Sequence, residues 1–149
     1  MPIPMTFRHP RLLAAAALLI ASMPLAAATP PAEPAYAPYL DCAASRANYA
    51  FLLRSSNYKD AADLRKVEDN VQAYLRIATA LAGHELRTEF KAAAEKVGAR
   101  EEEIMKTKGA EAYLQMSADT EQLCVARVER NKAALLKAMD AYETKPAKK

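Results

Sequence analysis

The chain has 149 residues, with 21 Lys and Arg against 18 Asp and Glu, two Cys, two His, nine Pro and no Trp. With so few cysteines and histidines, a structural zinc site of the usual nitrogen/sulfur kind would have to consume both cysteines. The basic excess also shrinks on inspection: Arg8 and Arg11 fall in 1–28 with no acid beside them, so beyond that segment 19 basic residues face 18 acidic ones and neither nucleic acid nor an anionic membrane surface is implied as a partner.

Residues 1–28 read as a secretory signal peptide. Arg8, His9 and Arg11 form a positive n-region, Leu12 to Met23 is an uninterrupted apolar run closed by Pro24, and Ala26, Ala27 and Ala28 supply a small-residue site with the cut expected after Ala28. The apolar run is too short to span a bilayer core, which takes about 20 residues. Lipoprotein processing needs a cysteine directly behind a small residue, whereas Cys42 follows Tyr39, Leu40 and Asp41. The expected product is periplasmic or secreted, with no stable membrane insertion after cleavage.

Residues 29–39 form a Pro/Ala-rich leader expected to be extended, since proline there removes backbone donors and favours polyproline geometry. Between Pro38 and Pro146 there is no proline and the only glycines are Gly83, Gly98 and Gly109, in a background rich in Ala, Leu, Lys, Arg and Glu. That composition predicts one all-helical domain over 40–145, followed by a disordered basic tail at 146–149.

The breaks divide the domain into four helices. The first is expected over 40–54 with Ala43, Ala47, Ala50 and Phe51 on its core face, ending at Ser55, Ser56 and Asn57, with Asn57 or a near neighbour capping the next. The second carries the cleanest pattern, Leu64, Val67, Val71, Tyr74, Ala78 and Leu81, a heptad seam that Gly83 would terminate with a left-handed cap. The third uses Leu86, Phe90, Ala93, Val97 and Ile104 and stops near Gly109, while the fourth covers 110–142 with Leu114, Cys124, Val128, Leu135 and Tyr142 along one side and a break at 117–119 left open. Short connections between long amphipathic helices favour antiparallel neighbours, so the predicted fold is an up-down-up-down four-helix bundle.

That topology permits a geometric test of the cysteines. Cys42 lies about 18 Å down the axis from Arg54, and Cys124 about 21 Å down from Ala110, at 1.5 Å per residue. The two heights agree within a turn. An oxidising compartment then makes Cys42–Cys124 a structural disulfide, and the absence of a C-x-x-C spacing argues against a redox couple.

Little else carries chemistry. His84, in the turn after Gly83, is the one histidine beyond the signal and has no partner signature for a hydrolase; Glu101, Glu102 and Glu103 are consecutive, so they point to different sides of a helix and read as a solvated face. Haem-carrying bundles resemble this chain in architecture only: C-x-x-C-H is absent, and the Met and His ligands of the b-type bundle cytochrome are not in place. The secreted chorismate mutases set a lysine on one helix and an Asp and an Arg-Glu pair on the next. The corresponding stretch here reads Arg54, Asp60, Asp63, Arg65, Lys66, Glu68, without that order or pair. The Leu-Thr-x-x-Gln repeats of Spy-like chaperones are missing too.

Four tyrosines, Tyr36, Tyr39, Tyr49 and Tyr58, gather at or before the first inter-helix turn and are the candidate interface, because tyrosine buries area while keeping a polar tip. Asn131 falls within the apolar stripe of the fourth helix. The functional expectation is a small exported protein without catalytic, cofactor or metal residues that binds another envelope or secreted protein, as an inhibitor, an immunity-type protein or an adaptor. The seam of the second helix leaves a homodimer open. Two alternatives are a carrier holding a small apolar ligand among Ala43, Ala47, Ala78 and Ala93 in the bundle core, and a helical enzyme of chorismate-mutase type.

Overall fold

The computed structural model describes residues 35–144, so the expected signal peptide 1–28, residues 29–34 of the expected leader and the expected tail 146–149 lie outside the described residues. Three helices make up the element order: α1 Ala37–Ser55, α2 Ala61–Ala82 and α3 Arg87–Glu143. No strand occurs among the described residues.

α1 begins inside the expected leader. Ala37, Pro38 and Tyr39 are already helical, with the Tyr36 carbonyl accepting from the N–H groups of Tyr39 and Leu40, each at 3.1 Å. Proline in a first turn fixes a helix-compatible φ, and the N–H it lacks would have had no intrahelical partner. At the other end Ser55 and Ser56 turn their hydroxyls back onto carbonyls of the last turn, and Asn57 takes a left-handed φ of 54°. The cap of α2 is Asp60, whose carboxylate accepts from Ala62 N at 3.0 Å and Asp63 N at 3.1 Å. Gly83 closes α2 at φ 75°, ψ 11°, its N–H bonded to Thr79 O at 2.8 Å.

The expected third and fourth helices form one element, α3, with a single non-helical residue inside, Gly109 at φ 85°, ψ 176°. Leu86 and Leu135 nevertheless belong to one buried cluster with Tyr39, Leu40 and Ile77. Along a straight helix they would stand about 70 Å apart. The chain therefore doubles back at Gly109, and Phe90 on the first arm and Val128 on the second pack against the same residues, Cys42, Ala43, Tyr74 and Cys124. Residues 117–119 are helical throughout.

Small residues set the closeness of the helices. Ala43, Ala44 and Ala78 have zero exposure. Of the expected α2 seam, Val71, Tyr74 and Ala78 are buried, joined by Ile77, while Leu64, Val67 and Leu81 are half-buried.

Two expected core residues are corrected. Phe51 keeps register with Ala44 and Ala47 but is 72% exposed, because it stands in the last turn of α1 where the neighbouring side chains leave a groove. Leu114 is 51% exposed. It sits ten residues before Cys124, about 80° off that face at 100° per residue, and Tyr113 and Ser117 occupy the buried side instead.

Candidate functional site

Cys42 of α1 and Cys124 of the second arm of α3 form a disulfide, with Cα atoms 6.0 Å apart and sulfurs 2.01 Å apart. A polar network starts one turn from it. Arg46, four residues after Cys42 and only 6% exposed, donates through Nη2 to Ser117 O at 2.8 Å and Ser117 Oγ at 2.7 Å. Its Nε stands 3.1 Å from Glu121 Oε2, yet neither atom has an aligned hydrogen bond, so this contact is an electrostatic one. Glu121 Oε1 accepts from Asn70 Nδ2 at 3.1 Å and Tyr74 OH at 3.3 Å, both on α2. The guanidinium also lies over the Tyr49 ring, 5.1 Å from its centroid. One buried arginine thereby ties α1, α2 and α3 together.

The second polar group is Glu101, and here the structure corrects the expected solvated run. Consecutive residues do diverge around the helix, and for that reason Glu102 and Glu103 are exposed, with Glu102 paired to Lys106, while Glu101 turns inward at 6% exposure and accepts from Ser45 Oγ at 3.0 Å. Burial pushes the Glu101 carboxyl above its usual range, although hydrogen bonds from Ser45 and Asn48 and the charges of Arg46 and Arg100 pull the other way. Two tyrosines follow the same physics. Burial first, then the Glu121 charge and hydrogen bond, pushes Tyr74 up to about 12. Tyr113 is likewise pushed up to about 12 by burial and by the Glu101 charge.

Glu101 borders two grooves. One, of about 210 Å³, opens over the disulfide between α1 and both arms of α3. The other, of about 490 Å³, lies beside the last turns of α1 and is lined by Phe51, Leu52, Met105 and Tyr113 together with the charged Glu102 and Lys106.

The four tyrosines named from sequence are not brought together. Tyr39 is 4% exposed inside the core, Tyr36 packs against that core, Tyr49 lies under Arg46, and Tyr58 is exposed with its hydroxyl on Asp63. Their spread along the full length of α1 and past its end separates them. Ala43 and Ala78 have zero exposure, Ala93 is buried and Ala47 lines an open groove beside Arg54 and Glu68, so these four alanines do not enclose a common cavity. In the stretch compared with chorismate mutases, Arg54 pairs with Glu68, Asp60 caps α2 and Lys66 pairs with Asp63 at the surface. Asn131 is exposed and donates to Arg127 O at 2.9 Å, and His84 is exposed in its turn with Nδ1 3.1 Å from Ala82 O. Among the described residues no group of three or more His, Cys, Asp or Glu is placed to hold a metal ion, and no helix is long and apolar enough to cross a membrane.

A signal for the Arg46 network did exist. Reading outward from the bridge, Arg46 lies four residues after Cys42 and Glu121 three before Cys124, so two antiparallel helices in that register bring them to one height. The chain matches no family model, and no curated protein or solved structure is significantly similar to it.

Proposed function

We propose that the protein is exported after cleavage of its signal peptide, folds as a four-helix bundle in up-down-up-down order with the two arms of α3 counted separately, and serves as a non-catalytic protein-binding module. An inhibitor, an immunity-type protein and an envelope adaptor all fit this reading. The disulfide is compatible with an oxidising compartment such as the periplasm.

The observation that supports binding is Phe51. Burying a phenylalanine stabilises by about 1.5–3 kcal/mol, yet this one is 72% exposed beside a groove walled by Leu52, Met105 and Tyr113. Aromatic residues and methionine are enriched at interface cores, and a few such anchors carry most of the affinity. The occupant we assign is an apolar side chain presented by a partner protein. The candidate interface thereby moves from the tyrosine set to the end of α1.

A photo-crosslinking residue at position 51 provides the test, with the exposed position 133 on the second arm of α3 as its control. Position 51 should give a discrete heterologous adduct in the exported fraction, and Met105→Asp should abolish it while leaving the unfolding midpoint in place. Equal labelling at both positions, or an adduct with the mass of two copies of this chain, would overturn the reading.

A further inference from the structure

We propose that the groove over the disulfide is a binding site for a small organic carboxylate with a short aliphatic body. The Cys42–Cys124 bridge and Ser45 line it together with the apolar Val97, Met116 and Leu123. At about 210 Å³ it is smaller than the ~300–1,000 Å³ of sites for drug-sized ligands, which selects a metabolite-sized guest. Two guanidiniums line it from opposite arms of α3, Arg100 and Arg127. Neither forms an ion pair with an acid among the described residues, and Arg127 uses only Nη1, in a long contact of 3.4 Å to Pro38 O. Guanidinium donors match a carboxylate in charge and in planar geometry.

The groove also holds two acids, Asp41 and Glu101. Asp41 offsets one arginine. Glu101, more than nine-tenths buried, has its carboxyl pushed above the usual range by burial, so it gives up its proton less readily than an exposed carboxyl would and opposes the second guanidinium less. The groups facing Glu101 are Ser45, Asn48 and Arg46 on α1, Arg100 on its own arm and Tyr113 on the other. As pH rises through its raised pKa, Glu101 ionises and repels a bound carboxylate. This contribution lowers affinity as pH rises through that pKa, opposite in sign to the gain from the ligand's own ionisation.

Calorimetric titration of the oxidised protein with hexanoate, hexanol and hexylammonium tests the assignment at constant chain length. Hexanoate should bind saturably and at least about tenfold more tightly than the other two, the size expected of one charge-assisted hydrogen bond. Arg100→Gln and Arg127→Gln, both at the rim, should each weaken hexanoate by about tenfold and leave hexanol unchanged, with unfolding midpoints retained. Glu101→Gln should keep binding and remove the fall in affinity with rising pH. Equal binding of hexanoate and hexanol, no saturable binding, or arginine variants that bind as the native protein does would each overturn the proposal. A fall in affinity with rising pH that survives in Glu101→Gln would overturn the part given to Glu101.

Discussion

Burying Arg46 takes a guanidinium out of water, at an effective cost of several kcal/mol, and its partners offset that cost only as a set. Ser117 accepts twice, Glu121 supplies the opposite charge, and Asn70 and Tyr74 hold Glu121 in place. Removing one member should hurt more than replacing the pair. Arg46→Ala leaves Glu121, whose side chain is 24% exposed, without its counter-charge and leaves Ser117 without its donor; a loss of about 3 kcal/mol is expected. Arg46→Met combined with Glu121→Leu should recover most of that loss, because apolar side chains of similar volume need no partner. Urea unfolding of the three proteins at one pH decides it, and a double variant as weak as the single would show that the ion pair is not what Arg46 contributes.

Helix ends in this protein are set by backbone conformation more than by side-chain caps. Asp60 is a true N-cap, while α1 starts at Tyr36 and α3 at Leu86 without a side-chain cap bond. The decisive element is the reversal at Gly109, whose φ of 85° and ψ of 176° place it in a region open essentially to glycine alone. A Cβ at Gly109 would meet nothing within 4 Å, so no clash accompanies a substitution there. Gly109→Ala should still destabilise by about 1–3 kcal/mol through backbone strain alone. The unfolding midpoint measures this, and an unchanged midpoint would mean that the turn relaxes into another conformation at no cost.

At the scale of the whole molecule the disulfide is the largest single constraint. It joins residues separated by 82 in sequence, and closing a loop of that length stabilises by about 4–5 kcal/mol in the chain-entropy model, against a total of about 5–15 kcal/mol for a typical domain. Cys42→Ala with Cys124→Ala should therefore lower the unfolding free energy by about 4 kcal/mol, more than either the Arg46 or the Gly109 change. A loss below about 1 kcal/mol would mean that helix packing alone holds the register. Because Arg46 stands one turn from Cys42, the combined variants should depart from additivity. Much of this was legible beforehand for local reasons. A stretch free of proline is helical by propensity, Gly83 and Gly109 mark ends because only glycine takes their dihedrals without strain, and the heights of Cys42 and Cys124 follow from a constant rise per residue. What one helix cannot specify is which of its polar residues meets a partner on another. Glu101 reads like its solvated neighbours and Phe51 like core, and Arg46 and Ser117 carry no sign of burial, since each of these outcomes is set by what stands opposite. The sequence by itself determined the helical class, the interruptions at Gly83 and Gly109 and the register of the cysteines, because propensity, glycine dihedrals and helical rise act within single segments. Tertiary structure alone decided the buried arginine, the inward carboxyl and the exposed phenylalanine, because desolvation depends on surfaces that come from distant parts of the chain.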